Sequence, residues 1–416
     1  MLGVTFRRTG SWFPRMMLGA LLLTVATQAL RPMVSYRALA LGGGALDIGI
    51  IASSFALLSL VVAVPLGRRV DRWGEPIVLL GGSVVVLVTA VSLLLIDSVW
   101  LLAVNQAALG LGQIMFVVAN QALVASGGDA QTRDGRYGIF TAVISLGQLI
   151  GPAVAGVLAG GGTAGGPTGE VDTGSVFAFT SALAAGAVVV SASLVVRPPG
   201  GHRARREEAA QAAPTGSMAA MRQIARIPSM PQAMVVSLTV LTSIDVLATY
   251  LPVYGEQRGL SVQVVGYLLA VRAGASIAAR LFMLQLVRRL GRRRLLILSL
   301  VAPAVGLLAF PFVGLPGQVV AMVVVGLGLG LGQPVTLSWV AATAPRTLLG
   351  TALGMRLTGN RLGQAALPVV IGVLAAATGV TAVFLALAAM LVGGSTLLLR
   401  ARFDDEPPAG SVRNLV

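Results

Sequence analysis

The sequence predicts an all-α integral membrane protein whose twelve transmembrane helices form two pseudo-symmetric six-helix bundles. Three observations carry that prediction. Only 11% of the 416 residues are charged and 56% are hydrophobic, with a mean hydropathy of +0.88. Soluble chains carry about 25% charged residues, so this one has too little polar surface to face water all round. Apolar runs long enough to cross a bilayer, about 20 residues each, recur twelve times. Landmarks of the first six runs return in the second six at a constant spacing.

The runs cover residues 13–36, 46–66, 77–96, 99–125, 137–160, 174–196, 232–254, 262–287, 294–313, 316–343, 349–377 and 379–400. The first follows Arg7, Arg8 and Arg15 but is too long for a signal-peptide core, and no A-x-A cleavage site follows it. It reads as a membrane helix that serves as its own insertion signal. Glycine and proline are frequent inside the runs, as membrane helices tolerate where neighbours re-satisfy the backbone.

All 30 basic residues are arginine, and the net charge is +15. They cluster between apolar runs rather than on one face of a domain, which argues against a nucleic-acid surface. Exclusive arginine with abundant Gly, Ala and Val suggests a GC-rich bacterial genome. One set of alternate loops holds Arg68, Arg69, Arg72, Arg133, Arg136, the cluster from Arg197 to Arg226, Arg288–Arg294 and Arg346; both termini belong with it. The opposite set holds only Arg37 and Arg258. The positive-inside rule then places both termini and the long central loop in the cytoplasm, with the chain multi-pass in a bacterial inner membrane. The expected division is a bundle over 1–196, a linker over 197–231, a second bundle over 232–402 and a tail over 403–416. Residues Ser217–Ile227 of the linker admit either a short surface helix or plain coil, since Met218, Met221 and Ile224 fall at helical spacing beside Arg222 and Arg226.

The halves repeat. Arg69-Val70-Asp71-Arg72-Trp73-Gly74 matches Leu286-Val287-Arg288-Arg289-Leu290-Gly291, with the two glycines at an offset of 217. Gly49 and Gly266 are separated by the same 217; Gly138, Gly147, Gln148 and Pro152 match Gly354, Gly363, Gln364 and Pro368 at 216. Such spacing indicates parallel repeats about an axis along the membrane normal.

Twelve spans as six plus six, with basic segments after spans 2 and 8, resemble the major facilitator superfamily. Gly67-Arg68-Arg69-Val70-Asp71-Arg72-Trp73-Gly74 resembles its signature G-x-x-x-D-R-x-G-R-[KR], with Glu75 and Pro76 replacing the last basic pair. The resemblance implies a cytoplasmic gate held through Asp71; the alternative is that Asp71 and Arg72 solvate a turn. In span 5, Gly138, Gly147, Gly151-Pro152 and Ala155-Gly156 resemble G(x8)G(x3)GP(x2)GG, a pattern of the drug and metabolite antiporter branch. Gly147, Gly151 and Ala155 also suit a plain packing seam. That branch usually carries an arginine in span 4, where this chain reads Asn105-Gln106-Ala107-Ala108-Leu109-Gly110, and an acidic residue in span 1, where it has Arg31. Its proton relay is therefore not carried over.

A charge at the centre of a membrane helix costs on the order of 2.5–3.5 kcal/mol on insertion scales, so the exceptions are functional candidates. Asp245 in span 7, Arg272 in span 8, Arg361 in span 11 and Arg31 in span 1 are those exceptions. Arg280 and Arg356 are expected to snorkel toward the cytoplasm. The resemblance puts spans 1, 4, 7 and 10 around a central cavity, with Asp245 as its coupling or substrate carboxylate. A static pair of Asp245 with Arg272 or Arg361 is the competing reading. Gln28, Gln113, Asn120, Gln148, Gln333, Asn360 and Gln364 are further path-lining candidates, or interhelical hydrogen-bonding groups. Tyr36, Tyr250 and Tyr254 suit either an interfacial belt or substrate contacts.

No cysteine is present and the single histidine is His202 in the linker, so no metal or cofactor is expected. The Gly326–Gly332 repeat lacks the Lys-Ser/Thr of a phosphate loop, which argues against ATP-driven pumping and for close helix packing. The expectation is a monomeric, non-enzymatic secondary transporter in the lipid bilayer. It exports a small drug-like or metabolite molecule by alternating access, with protons as the coupling ion. The alternative is an uptake permease for a small organic anion, since Arg31, Arg272 and Arg361 outnumber Asp245.

Overall fold

The computed structural model describes residues 12–126, 130–160, 171–196, 218–345 and 348–399. Its helices are α1 (Trp12–Ala40), α2 (Ala45–Trp73), α3 (Glu75–Ser92), α4 (Val99–Ser126), α5 (Ala130–Gly160), α6 (Thr173–Val196) and α7 (Met218–Ala225). They continue with α8 (Met230–Gln257), α9 (Val262–Leu281), α10 (Met283–Leu290), α11 (Arg292–Ala309), α12 (Leu315–Thr343), α13 (Leu349–Thr378) and α14 (Thr381–Leu399). Twelve helical stretches among the described residues are long and apolar enough to cross a bilayer. Apolar side chains lie on both sides of these helices. In α3, Val78, Leu79 and Val86 are buried while Val84, Val88 and Val91 are exposed; in α14, Phe384 and Leu387 are buried while Leu385 and Val392 are exposed. Helices apolar all round belong in lipid, where each satisfies its backbone internally.

The boundaries agree with the expected spans to within about four residues, with three differences, the first being that α5 starts at Ala130, seven residues before the expected 137. Helix α2 runs on to Trp73, so the signature segment expected between spans 2 and 3 is helical up to Gly74. Gly74 alone makes the turn, at φ +88°, where a Cβ is disfavoured. Gly67, Asp71 and Arg72 supply helical backbone to α2, and their side chains fall outside the described residues. The expected eighth span, 262–287, breaks at Phe282 (φ −96°, ψ 3°), leaving α10 as a separate short helix ending on Arg288, Arg289 and Leu290. The break is a local excursion to the bridge region of the backbone, without the proline or glycine that marks most kinks. Of the linker, residues 218–231 are described, and Ile224 of α7 is its buried anchor. The charge run Arg203–Glu208 and the tail 403–416 fall outside the described residues. At the start of α6, Asp172 accepts from the Ser175 N–H (3.0 Å) and hydroxyl, which hold its carboxyl below the ordinary carboxylate range.

The repeat is written in the backbone. Gly42 and Gly259 have φ of +80° and +66°, Gly74 and Gly291 of +88° and +75°, and both pairs share the offset of 217. By contact the chain divides into two units: Met1–Ala213 with Asp245–Ala273 and Gln364–Val383, and Pro214–Ile244 with Gly274–Gly363 and Phe384–Val416. The units are defined by contact and the expected bundles by sequence repetition; they cut α8, α9 and α13 differently.

In the first unit, two glycine seams match each other through the repeat. A Cβ on Gly49 of α2 would stand 2.5 Å from the Pro368 carbonyl oxygen of α13, and one on Gly372 of α13 would stand 3.0 Å from that of Ala45. A Cβ on Gly266 of α9 would stand 2.5 Å from the Pro152 carbonyl oxygen of α5, and one on Gly156 of α5 3.0 Å from that of Val262. In the second unit α12 packs against three helices through its glycines: Gly328 on Pro303, Gly330 on Ser276 and Gly332 on Val240. The Gly326–Gly332 run is thus a packing element. Phe310 and Phe384 stack there at 4.9 Å.

Gly49→Ala and Gly266→Ala are each expected to destabilise the purified protein by about 1–3 kcal/mol through overpacking. Gly138 and Gly354, whose added Cβ would meet nothing within 4 Å, are expected to accept alanine with no loss and a gain of up to about 1 kcal/mol. Unfolding in detergent checks the contrast; equal effects at all four positions would refute the seam geometry.

Candidate functional site

Asp245 is delivered by the middle of α8, where Thr249 returns its hydroxyl to the Asp245 carbonyl at 2.9 Å. Arg31 comes from α1, one residue before Pro32. Gln364 comes from α13, four residues before Pro368. All three belong to the first unit. Arg31 Nη1 donates to Asp245 Oδ1 in an ion pair, and Gln364 Nε2 donates to Asp245 Oδ2. Both carboxylate oxygens are therefore occupied. The Arg31 guanidinium also lies 4.9 Å from the centre of the Phe55 ring on α2, a cation–π contact.

These groups line a cavity with about 530 Å³ of empty space including its open mouth. Small-molecule sites run roughly 300–1,000 Å³. Val34, Ile48, Ile51 and Phe55 give it an apolar wall; Ser35, Gln106 and Thr249 add neutral hydrogen-bonding groups. Arg31 and Asp245 remain 18% and 17% exposed, so the pair is reachable from the cavity. Such a site can exchange partners: a cation or donor competes with Arg31 for the carboxylate, and a proton on Asp245 releases the guanidinium.

Tyr250, more than one turn past Asp245, lies behind the wall at Pro368. Its hydroxyl lies 3.0 Å from the Ala45 carbonyl oxygen and 3.1 Å from that of Pro368, bridging α2 and α13 where Gly49 and Gly372 leave room. Tyr250 and Tyr254 are 0% and 1% exposed and Tyr36 is 5% exposed. These tyrosines are core side chains, not a lipid-facing belt.

The structure gathers Arg31, Asp245 and Gln364 from the expected candidates and leaves the others elsewhere. Asp245 pairs with Arg31, not with Arg272 or Arg361. Arg272 is buried in the first unit away from the cavity wall, and Arg361 is half-buried in the second unit. Gln28 packs under Gly151, whose added Cβ would stand 2.8 Å from the Gln28 Cβ and 2.9 Å from the Val25 carbonyl oxygen. Gly147 likewise faces Thr24, so these span-5 glycines form a seam with α1, while Gly156 faces α9 and Gly138 faces open space. Pro152 within α5 supplies the carbonyl that Gly266 meets. Gln148 is half-buried on the same helix. Asn120 bonds the Phe116 carbonyl of its own helix at 2.9 Å, and Gln113 Oε1 is buried without a partner among the described residues.

In the second unit Gln333 donates to the Ser237 carbonyl (2.7 Å) and Ser237 to Asn360 (3.1 Å), tying α12, α8 and α13 together. Arg356 and Arg280 do not snorkel. Arg356 is 6% exposed and bonded to Gln333 and Thr336. Arg280 donates to the Gly330 carbonyl at 3.1 Å, the group that Pro334 deprives of its helical donor. Arg136, expected in a loop, sits inside α5 at 2% exposure, 6.0 Å from the Trp12 ring centre. Gln106 was missed by the sequence reading, although its segment stood where an arginine was expected. Asn105 beside it turns to α3, donating to the Thr89 carbonyl and Ser92 hydroxyl.

A double-mutant cycle of Arg31→Ala and Asp245→Ala is expected to show a coupling of about 1–3 kcal/mol in unfolding free energy. Either single substitution leaves a charge without its partner and costs more than half of the double. Additive effects would mean the pair does not form.

A family description, Major Facilitator Superfamily, matches residues 16–331 and 258–415. Multidrug resistance protein 1 of Bacillus subtilis (strain 168) is 28% identical over 152 residues, which is 36% of this chain and 36% of that protein. The chain thus matches about a third of that relative's length. The fold resembles the nucleoside transporter NupG with a TM-score of 0.72 and 15% identity, covering 94% of this chain and 98% of that one. It also resembles a D-xylose-proton symporter with a TM-score of 0.74 and 14% identity, covering 94% and 97%. With the family match spanning nearly the whole sequence, and twelve membrane helices in duplicated halves beneath it, this chain belongs to the Major Facilitator Superfamily of transporters.

Proposed function

We propose that the protein exports a small drug-like or metabolite molecule by alternating access, in exchange for protons, with Asp245 as the coupling carboxylate. The observation that carries this reading is the Arg31–Asp245–Gln364 contact on the wall of an open, mostly apolar cavity. A carboxylate there has two exclusive partners, a proton or a cation, and that exclusivity is what exchange requires. The resemblance of the span-5 glycines to the antiporter pattern supports export, as does the partial likeness to a protein named for multidrug resistance. The arginine-rich ends of the helices, both termini and the linker lie in the cytoplasm by the positive-inside rule, in a bacterial inner membrane, and the chain works as a monomer. On this orientation the glycine seams and Tyr250 close the outer end of the first unit. Opening them requires Arg31 and Gln364 to let go of Asp245.

The second reading is uptake of a small organic anion, supported by the arginines of the membrane helices, Arg31, Arg272 and Arg361, outnumbering Asp245; of the three, Arg31 lines the cavity.

Inside-out vesicles with an imposed pH gradient separate the two, comparing wild type with Asp245→Asn across cationic, neutral and anionic compounds. Gradient-dependent accumulation of a cationic or neutral compound, abolished by the substitution, is the expected outcome. Movement of an anion without the gradient, unchanged in Asp245→Asn, would replace export with the permease reading.

A further inference from the structure

Arg356 presents a problem that the Asp245 cavity does not solve. It lies in the membrane-spanning part of α13 and is only 6% exposed. Its hydrogen bonds run from Nη2 to neutral acceptors: the Gln333 carbonyl (3.1 Å), Gln333 Oε1 (2.7 Å) and Thr336 Oγ1 (3.3 Å). Nε is buried and without a partner among the described residues. Among those residues Arg356 also has no ion-pair partner. Its own unit has none to offer within the membrane: residues 214–244, 274–363 and 384–403 contain no aspartate or glutamate.

A buried cation without a counter-charge costs several kcal/mol after relaxation. Arginine stays protonated and cannot escape by neutralising. Yet the surrounding side chains hold this guanidinium in place. Gln333 Oε1 accepts from Arg356 while Gln333 Nε2 donates to the Ser237 carbonyl at 2.7 Å, and the Ser237 hydroxyl donates to Asn360 Oδ1 at 3.1 Å. Gln333 is thereby fixed by α8 and fixes Arg356 in turn. Nη2 is spent on orientation, and Nε remains a donor with no acceptor among the described residues. A protonated guanidinium held in this way leaves Nε–H as a charge-assisted donor for an oxyanion.

We infer that Arg356 is the anchor of an anion site in the second unit, taking a carboxylate, phosphate or sulfonate group. The anion belongs either to a soluble small molecule or to a lipid headgroup. Gln333 and Thr336 are its positioning residues. The site does not use Asp245, and it depends neither on the direction of transport nor on its coupling.

The test is thermal unfolding of the full chain in dodecyl maltoside, titrated with benzoate, with its neutral isostere benzamide, and with phosphatidylglycerol in mixed micelles. Benzoate or phosphatidylglycerol is expected to raise Tm of the wild type saturably, and benzamide is not. Stabilisation by benzoate assigns a soluble anion; stabilisation by phosphatidylglycerol alone assigns a lipid. Arg356→Gln is expected to weaken half-saturation about tenfold or more, while its Tm without anion stays level or rises, because an uncompensated charge has been removed. Should Arg356→Gln fail to fold, Arg356→Lys decides: it keeps the charge and loses Nε, so half-saturation must weaken. The inference is overturned if no anion stabilises the wild type. It is equally overturned if folded Arg356→Gln, or Arg356→Lys in its place, responds like the wild type.

Discussion

A carboxylate inside a bilayer has to be neutralised where it stands, and the neutralisation of Asp245 by Arg31 is the constraint around which the first unit is built. The two residues come from the first helix of each repeat, far apart in the chain and joined by one ion pair. To satisfy the other carboxylate oxygen, Gln364 must arrive from α13 as well. Three helices must therefore meet at one point, at side-chain hydrogen-bonding distance. In lipid no hydrophobic effect drives helices together, so that meeting relies on packing and on polar contacts that average about 0.6 kcal/mol each. Large side chains at the crossings would hold the backbones apart and leave the charge alone.

The glycine seams are how that distance is reached. Gly49 and Gly372 bring α2 onto α13, and Gly266 and Gly156 bring α9 onto α5, at positions the repeat relates. The two seams are equal in backbone and unequal in chemistry. Tyr250 adds a hydroxyl to two carbonyls on the α2–α13 side, beside the helix that carries Gln364. Its phenol and the Asp245 carboxylate hold α13 at successive turns. The polar residues of the site thus break a two-fold symmetry that the glycines keep.

Much of this was legible in the sequence. Twelve spans, a duplicated half and the isolated Asp245 follow from hydropathy, landmark spacing and the cost of a buried charge. The glycine patterns at 138–156 and 354–372 marked close approach but not its partners, because a small residue records that something comes near and not what. The partner of Asp245 was open because three arginines were available and helix rotation is invisible in an apolar run. The repeat held a clue: its offset carries Gln28 onto Asp245 and Gln148 onto Gln364. Asp245 and Gln364 thus stand at the positions that Gln28 and Gln148 hold in the first half, and Gln28 lies one turn from Arg31. The burial of Arg356 was out of reach, since a position two turns into a helix reads as snorkelling distance until α12 is seen beside it. The helical course of 67–73 was missed because arginines there look like a loop when the only cue is hydropathy.

One carboxylate in the cavity also sets what the proposed exchange can carry. With Asp245 ionised and paired, the wall is neutral overall, and a cation must displace Arg31 to bind. With Asp245 protonated, Arg31 remains and the wall is positive, which disfavours the same cation by like-charge repulsion. Proton entry and cation departure are then one event, with no relay of further carboxylates needed. An exchange of this kind would need neither the acidic residue in span 1 nor the arginine in span 4 of the antiporter branch. Arg31 occupies the first of those helices and supplies the opposing charge itself. The proposed exchange would then carry one proton per cycle at this cavity, where Asp245 is the one carboxylate among the lining residues.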